Sequence, residues 1–268
     1  MATKTYFYNE NCFDTMKKME SKNFKVNIVL TSPPYNTARC GKTERSINNY
    51  ENRYDVHFDN MTDDEYASWT KNLFDEFDKI LEKNGVILYN ISYGSENPNA
   101  MWVALEAIRK TNFMIADVII WKKKSALPNN VSHNKLTRIT EFVFVICRKD
   151  EFKTFQANKQ VKSVSKTGQK FYENIFNFIE APNNDGSCKL NKATYSSELV
   201  LKLLEIYASE NDKIYDPFMG TGTTAIGCMK FYGGEDKNNL VCIGSEISEA
   251  QVQFAKDRIT NFRNQVNS

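Results

Sequence analysis

Apolar positions along the chain follow two rhythms, and the order of those rhythms predicts the architecture. "KVNIVL" (25–30) is a short β-branched run of the kind that forms a buried strand. From Met61 to Gly85 the period changes. Tyr66, Trp69, Leu73, Phe77, Ile80 and Leu81 fall on one helical face, Thr62 and Glu65 stand at capping-box spacing, and Gly85 is the expected stop. Strands are predicted at "VILYNI" (86–91), "MIADVIIW" (114–121) and "FVFVIC" (142–147), with a helix over 99–110. Periodicity fades between about Trp121 and Thr140 and again from Asp150 to Ala193, where Lys, Asn, Ser and Thr dominate. It returns with helices at "SSELVLKLLEIYAS", "TTAIGCMKFY" and "SEAQVQFAKDRITNF" and strands at "KIYD" and "LVCIGSE". This βα alternation predicts an α/β protein whose two ends are two pieces of one parallel sheet.

The 268 residues, 41% hydrophobic and 25% charged, suit a single domain spanning 1–268. Net charge is +2, but its distribution is uneven. Residues 121–192 carry 14 Lys and Arg against 6 Asp and Glu, a net +8, which leaves −6 for the remainder. A basic middle in a nearly neutral chain points to a polyanion-binding face, with Lys122, Lys123 and Lys124 after Trp121 as candidate nucleic-acid contacts. The six cysteines are scattered without a C-x-x-C pair, no charged-then-apolar leader opens the chain, and "FVFVIC" is far shorter than a membrane span. These features read as a soluble, cytoplasmic protein with no membrane partner. No metal-ligand cluster is visible, and His57 and His133 have no carboxylate or serine partner suggested by spacing.

Two stretches carry chemistry. In "YDPFMGTGTTAIG" (215–227) a strand runs through a Gly-x-Gly turn directly into a helix, so backbone can approach a ligand at the positive helix end. Glu246 ends the next strand, where a carboxylate can take both hydroxyls of a ribose. The G-x-G-x-x-G order of dinucleotide sites is absent, although the glycines alone also suit close strand-to-helix packing. In "TSPPY" (31–35) a buried strand ends on Pro33 and Pro34, which lack the N–H to continue a ladder. The carbonyls of Ser32 and Pro33 are thereby left as acceptors, beside the Ser32 hydroxyl and the flat ring of Tyr35. Acceptors and a stacking ring are what a delocalised exocyclic amine needs before it can act as a nucleophile.

With these two motifs the chain resembles the S-adenosylmethionine-dependent DNA amino-methyltransferases. "TSPPY" resembles their catalytic motif and "DPFMGTGTT" their cofactor motif, and the order is similar to the family's β arrangement, with target recognition between the two. The resemblance spans 8–258. It implies a Rossmann-like methyltransferase sheet in permuted order, with a small basic target-recognition insertion at about 121–192. It implies catalytic roles for Ser32, Pro33, Pro34 and Tyr35, and cofactor contacts from Asn11, Cys12, Asp216, Phe218, Gly220, Gly222, Thr223 and Glu246. Asn11 stands where the family often has an acidic residue, Asn191 and Lys192 where it has a His-Pro pair, and Thr140 before Glu141 where it has His-Glu; Glu141 is taken as structural. Serine before the two prolines favours cytosine N4 over adenine N6. The partners implied are double-stranded DNA, a second copy of the chain, and a cognate restriction endonuclease. A carbon-5 cytosine methylase is disfavoured because the chain has no Pro-Cys pair. An RNA base amino-methyltransferase, a dinucleotide-dependent oxidoreductase and a non-catalytic DNA-binding relative are the competing readings.

Overall fold

The computed structural model describes residues 3–36, 61–94, 97–126, 128–130, 132–186, 191, 194–231 and 240–266. Cys40, His57, Cys188 and Lys192 lie outside them. The chain begins with β1 (Lys4–Asn9), α1 (Cys12–Ser21) and β2 (Val26–Thr31). It continues through α2 (Asp63–Ile80), β3 (Leu81–Ile91), α3 (Ala100–Arg109), β4 (Phe113–Lys123) and β5 (Thr140–Arg148). Three short strands, β6 (Val161–Val164), β7 (Lys170–Tyr172) and β8 (Phe178–Ala181), precede α4 (Ser197–Tyr207), β9 (Lys213–Asp216), α5 (Thr223–Lys230), β10 (Val241–Glu246) and α6 (Glu249–Val266).

Among the described residues, eight strands form one sheet in the order β1-β10-β9-β2-β3-β5-β4-β8. The first five are mutually parallel, β5 runs antiparallel to both of its neighbours, and β8 returns parallel to β4. The two ends of the chain meet at the β2–β9 seam, where Ile28 pairs with Ile214 and Val29 with Tyr215. That seam is the permuted α/β architecture expected from the sequence.

Side-chain alternation along the central strands divides the core into two layers. Val29 and Ile87 point to one face, against Met16 of α1, Leu73 and Phe77 of α2 and Ala104 of α3. Their neighbours Ile28, Leu30 and Leu88 point to the other, against Leu199 and Leu203 of α4, Ile226 of α5 and Ile259 of α6. Because both faces are covered, the strands are apolar throughout rather than alternating.

Helix α2 opens as expected, with the Thr62 hydroxyl accepting from Glu65 N and the Glu65 carboxylate accepting from Thr62 N. Its end differs from expectation, because the helix stops at Ile80 and the chain passes straight into β3. Gly85 is therefore a strand residue. A Cβ there would lie 2.7 Å from Leu81 Cγ and 2.9 Å from the Asn27 carbonyl oxygen, so the glycine serves close packing rather than a helix cap. Within the basic stretch, β5 and β8 join the main sheet, while β6 and β7 form a separate antiparallel hairpin with every strand residue exposed.

Candidate active site

The carboxyl ends of β2, β9 and β10 open on one cavity of about 990 Å³, large enough for a nucleoside-sized cofactor beside a base. Its walls include Asn11, Cys12, Ser32, Pro33, Pro34, Tyr35, Phe218, Gly220, Thr223 and Glu246. Ten of the twelve residues expected in the catalytic and cofactor sites thus face one space. The other two, Asp216 and Gly222, lie behind the wall.

Gly222 caps α5 at φ 79°, and a Cβ there would stand 2.9 Å from the Cβ of Ala255. Gly220 has φ 50°. The turn between β9 and α5 is thus left-handed at both glycines, as close backbone approach requires. Glu246 pins it: one carboxylate oxygen accepts from Gly220 N at 3.0 Å and the other from Ser248 N at 2.9 Å. The side chain also lines the cavity, where a carboxylate suits a ribose diol. The ring of Phe218 lies 5.6 Å from that of Trp69, which stacks on Tyr66 at 5.8 Å. Trp69, on the apolar face of α2, packs against the core and is also an aromatic wall of the site.

Asn11 is the N-cap of α1, its side chain accepting from Phe13 N at 3.0 Å. Cys12 is buried, and burial pushes its thiol up to about 12, so it packs rather than reacts. Asp216 is buried as well. Its carboxylate accepts from Thr31 Oγ1 at 2.9 Å, Phe218 N at 3.1 Å, Tyr195 OH at 3.2 Å and the Thr224 hydroxyl. It therefore ties the two motifs together from behind.

At the catalytic motif, the Ser32 hydroxyl donates to Tyr35 Oη at 3.1 Å. Tyr66 donates to the Pro34 carbonyl at 2.7 Å, whereas the carbonyls of Ser32 and Pro33 accept from no donor among the described residues. Asn36 follows at φ 53° and accepts through its carbonyl from Asn97 Nδ2 at 2.8 Å, which fixes the exit of the turn. A segment with two open carbonyls, a held hydroxyl and a ring, next to a glycine turn with a carboxylate, has the acceptors and the ring to receive an amine beside a cofactor-sized space.

The sequence model of a family described as DNA methylase matches residues 26–257. The chain belongs to that family. This DNA methylase is a DNA amino-methyltransferase that uses S-adenosylmethionine. It is 22% identical to the type II methyltransferase M.MjaI of Methanocaldococcus jannaschii, over 92% of this chain and 89% of that one. It is 24% identical to the orphan methyltransferase M.BamHII of Bacillus amyloliquefaciens, over 88% and 89%. Among solved structures it resembles the PvuII DNA methyltransferase, described as cytosine-N4-specific, with TM-score 0.63, 16% identity and coverage of 99% and 93%. A complex of M1.HpyAVI with S-adenosylmethionine gives TM-score 0.58, 22% identity and coverage of 95% and 99%.

Of the three lysines expected to contact nucleic acid, Lys123 turns to the cavity while Lys122 and Lys124 share a surface with Lys202 around Glu180 and Glu198. Successive strand residues face opposite sides, and each lysine has a carboxylate: Lys122 pairs with Glu180 at 2.6 Å, Lys123 with Glu141, and Lys124 with Glu198 at 3.8 Å. Lys123 points into the cavity. Trp121 is core, 1% exposed, with its indole N–H donating to the Ala181 carbonyl at 3.2 Å. Tyr66, Asn90 and Glu141 line the site without having been anticipated there. Their signal lay in which strands become neighbours, and periodicity does not carry that information.

Proposed function

We propose that this DNA methylase transfers the methyl group of S-adenosylmethionine to the exocyclic N4 of a cytosine flipped out of duplex DNA. The observation that carries the reading is Ser32: it precedes Pro33 and Pro34, and its hydrogen is held by Tyr35, so its lone pairs are free for an amine. The likeness to a fold described as cytosine-N4-specific supports it. The cofactor supplies an electrophilic methyl group on sulfonium sulfur. Phe218, Gly220, Thr223 and Glu246 would hold it, with Asn11 and Cys12 on the adjoining wall. Ser32 Oγ and the Pro33 carbonyl accept the two amine hydrogens, Tyr35 stacks on the base, and solvent takes the proton released after transfer.

Nucleoside mass spectrometry of DNA methylated with isotope-labelled cofactor is expected to find label in 4-methylcytosine. Label confined to 6-methyladenine would overturn the cytosine assignment and leave the amino-methyltransferase standing. Glu246→Ala should weaken cofactor binding by about 1–3 kcal/mol, the scale of a lost charge-assisted hydrogen bond. Unchanged affinity by calorimetry would remove Glu246 from the site.

We place the principal DNA contact on the β6–β7 hairpin rather than on Lys122 to Lys124. Lys159, Lys162, Lys166 and Lys170 are exposed there, and none is paired with a carboxylate among the described residues. Val164, Phe171 and Tyr172 are half exposed beside them. A free two-stranded ribbon is marginal in water and gains from a partner surface. Neutralising the four lysines should reduce the slope of log affinity against log salt by up to about 3.6, at roughly 0.9 per phosphate contact. An unchanged slope would place the hairpin away from the DNA.

A further inference from the structure

Tyr35 leaves the end of β2 between a proline pair and the left-handed Asn36, which fixes its backbone and leaves the ring's orientation to its side-chain contacts. The far end of that ring meets a polar cluster built from the neighbouring strands. Tyr35 Oη lies 3.2 Å from Glu141 Oε2 on β5 and 3.2 Å from Asn90 Oδ1 on β3. Asn90 is itself fixed, its Nδ2 donating to the Phe142 carbonyl at 3.0 Å. The second oxygen of Glu141 accepts from the ammonium of Lys123, at the end of β4. That ammonium stands 5.1 Å from the Trp121 ring. Glu141 lies opposite Trp121 in the β4–β5 register, so the carboxylate and the ammonium are cross-strand diagonal neighbours.

We propose that Glu141, oriented by Lys123, is a positioning residue that holds the Tyr35 ring in the plane required by the target base. The inference rests on the reading of Tyr35 as the stacking residue. A partly exposed ion pair contributes little to stability, and the two side chains are 18% and 23% exposed. The consequence of the pair lies in its direction: one carboxylate oxygen is spent on Lys123, which aims the other at the tyrosine hydroxyl. Ser32 donates to the same hydroxyl, so the ring's hold and the serine's orientation are set together. Lys123 and Glu141 also bracket residues 124–139, whose base is closed by Lys123 N donating to the Ile139 carbonyl at 2.8 Å. That segment supplies Lys135, Leu136 and Arg138 to the cavity mouth. Contact of DNA with the segment would therefore reach Tyr35 through the pair.

The test is a double-mutant cycle on the single-turnover methylation rate, with cofactor and DNA saturating. Glu141→Gln is expected to slow the step about tenfold or more, because only the fraction of molecules with the ring in place reacts. Cofactor and DNA dissociation constants should stay within about twofold, and in a Tyr35→Phe background Glu141→Gln should cost less than about twofold further. Lys123→Met should reproduce the loss and Lys123→Arg recover most of it, which keeps the test open if Glu141→Gln folds poorly. The proposal is overturned if Glu141→Gln is as fast as wild type, or if it costs the same factor with and without the Tyr35 hydroxyl. A Tyr35→Ala variant separates the two layers. An unchanged rate there would sink the stacking reading itself, while a slow Tyr35→Ala with an additive cycle would sink only the positioning role.

Discussion

Ser32→Ala is expected to lower turnover about 100- to 1,000-fold, the range found when one preorganised hydrogen-bonding group at a reacting centre is removed. The amine nitrogen is nearly planar in the ground state and becomes tetrahedral as the methyl group arrives. Its hydrogens grow more acidic along that path, so an acceptor bound to them is worth more in the transition state than before it. In this structure the Ser32 hydroxyl is already committed as a donor to Tyr35 at 3.1 Å, so no reorientation is needed when the base enters. Affinity for DNA should change little, because most of it comes from phosphate contacts remote from the base. The measurement is a single-turnover rate together with a binding isotherm for the same duplex. A loss appearing mainly as weaker binding would make Ser32 a recognition residue and leave the activating role to the Pro33 carbonyl.

What the sequence disclosed and what it concealed divide along a physical line. Elements with a strong period were legible: the capping box at Thr62 and Glu65, the apolar run of β2, and the glycine turn after Asp216 each follow from local chemistry. The edge strand β1 was not read as an element, since a half-exposed "KTYFYN" buries too little to stand out from a loop. Gly85 was misread because a glycine after a helical run signals a cap, whereas here the constraint is the Asn27 carbonyl of a neighbouring strand. In the same way the basic middle was visible as charge but not as geometry. Three consecutive lysines read as one patch, yet strand alternation turns Lys123 toward Glu141 while Lys122 and Lys124 stay together beside the acids of β8 and α4. Glu141 shows the limit most clearly: 106 residues separate it from Tyr35, and only the antiparallel insertion of β5 beside β3 brings them into contact.

Asp216→Ala should be the most damaging substitution for the fold, at about 2–5 kcal/mol, since it orphans two donors at once and each costs about 1–3 kcal/mol. The Thr31 hydroxyl and Phe218 N would lose their acceptor, while Tyr195 and Thr224 would retain each other. Thr31 belongs to the first part of the chain and Thr224 to the last, so the carboxylate closes the β2–β9 seam as well as the turn. The pH dependence has a definite sign. Burial raises the Asp216 carboxyl above its ordinary value, and this outweighs the hydrogen bonds from Thr224, Phe218, Thr31 and Tyr195 that favour the anion. A carboxyl that binds its proton more tightly in the folded state than in the unfolded chain costs stability when ionised. That cost is full above its folded value, shrinks as pH falls below it, and is gone below the unfolded value. Measured against Asp216→Asn, which has no proton to bind, wild type should therefore gain relative stability as the pH is lowered. Denaturant melts of the two proteins over a pH series read this difference directly. A wild-type advantage that shrinks with acid would mean that the four donors win over burial and that Asp216 is held as a stabilised anion.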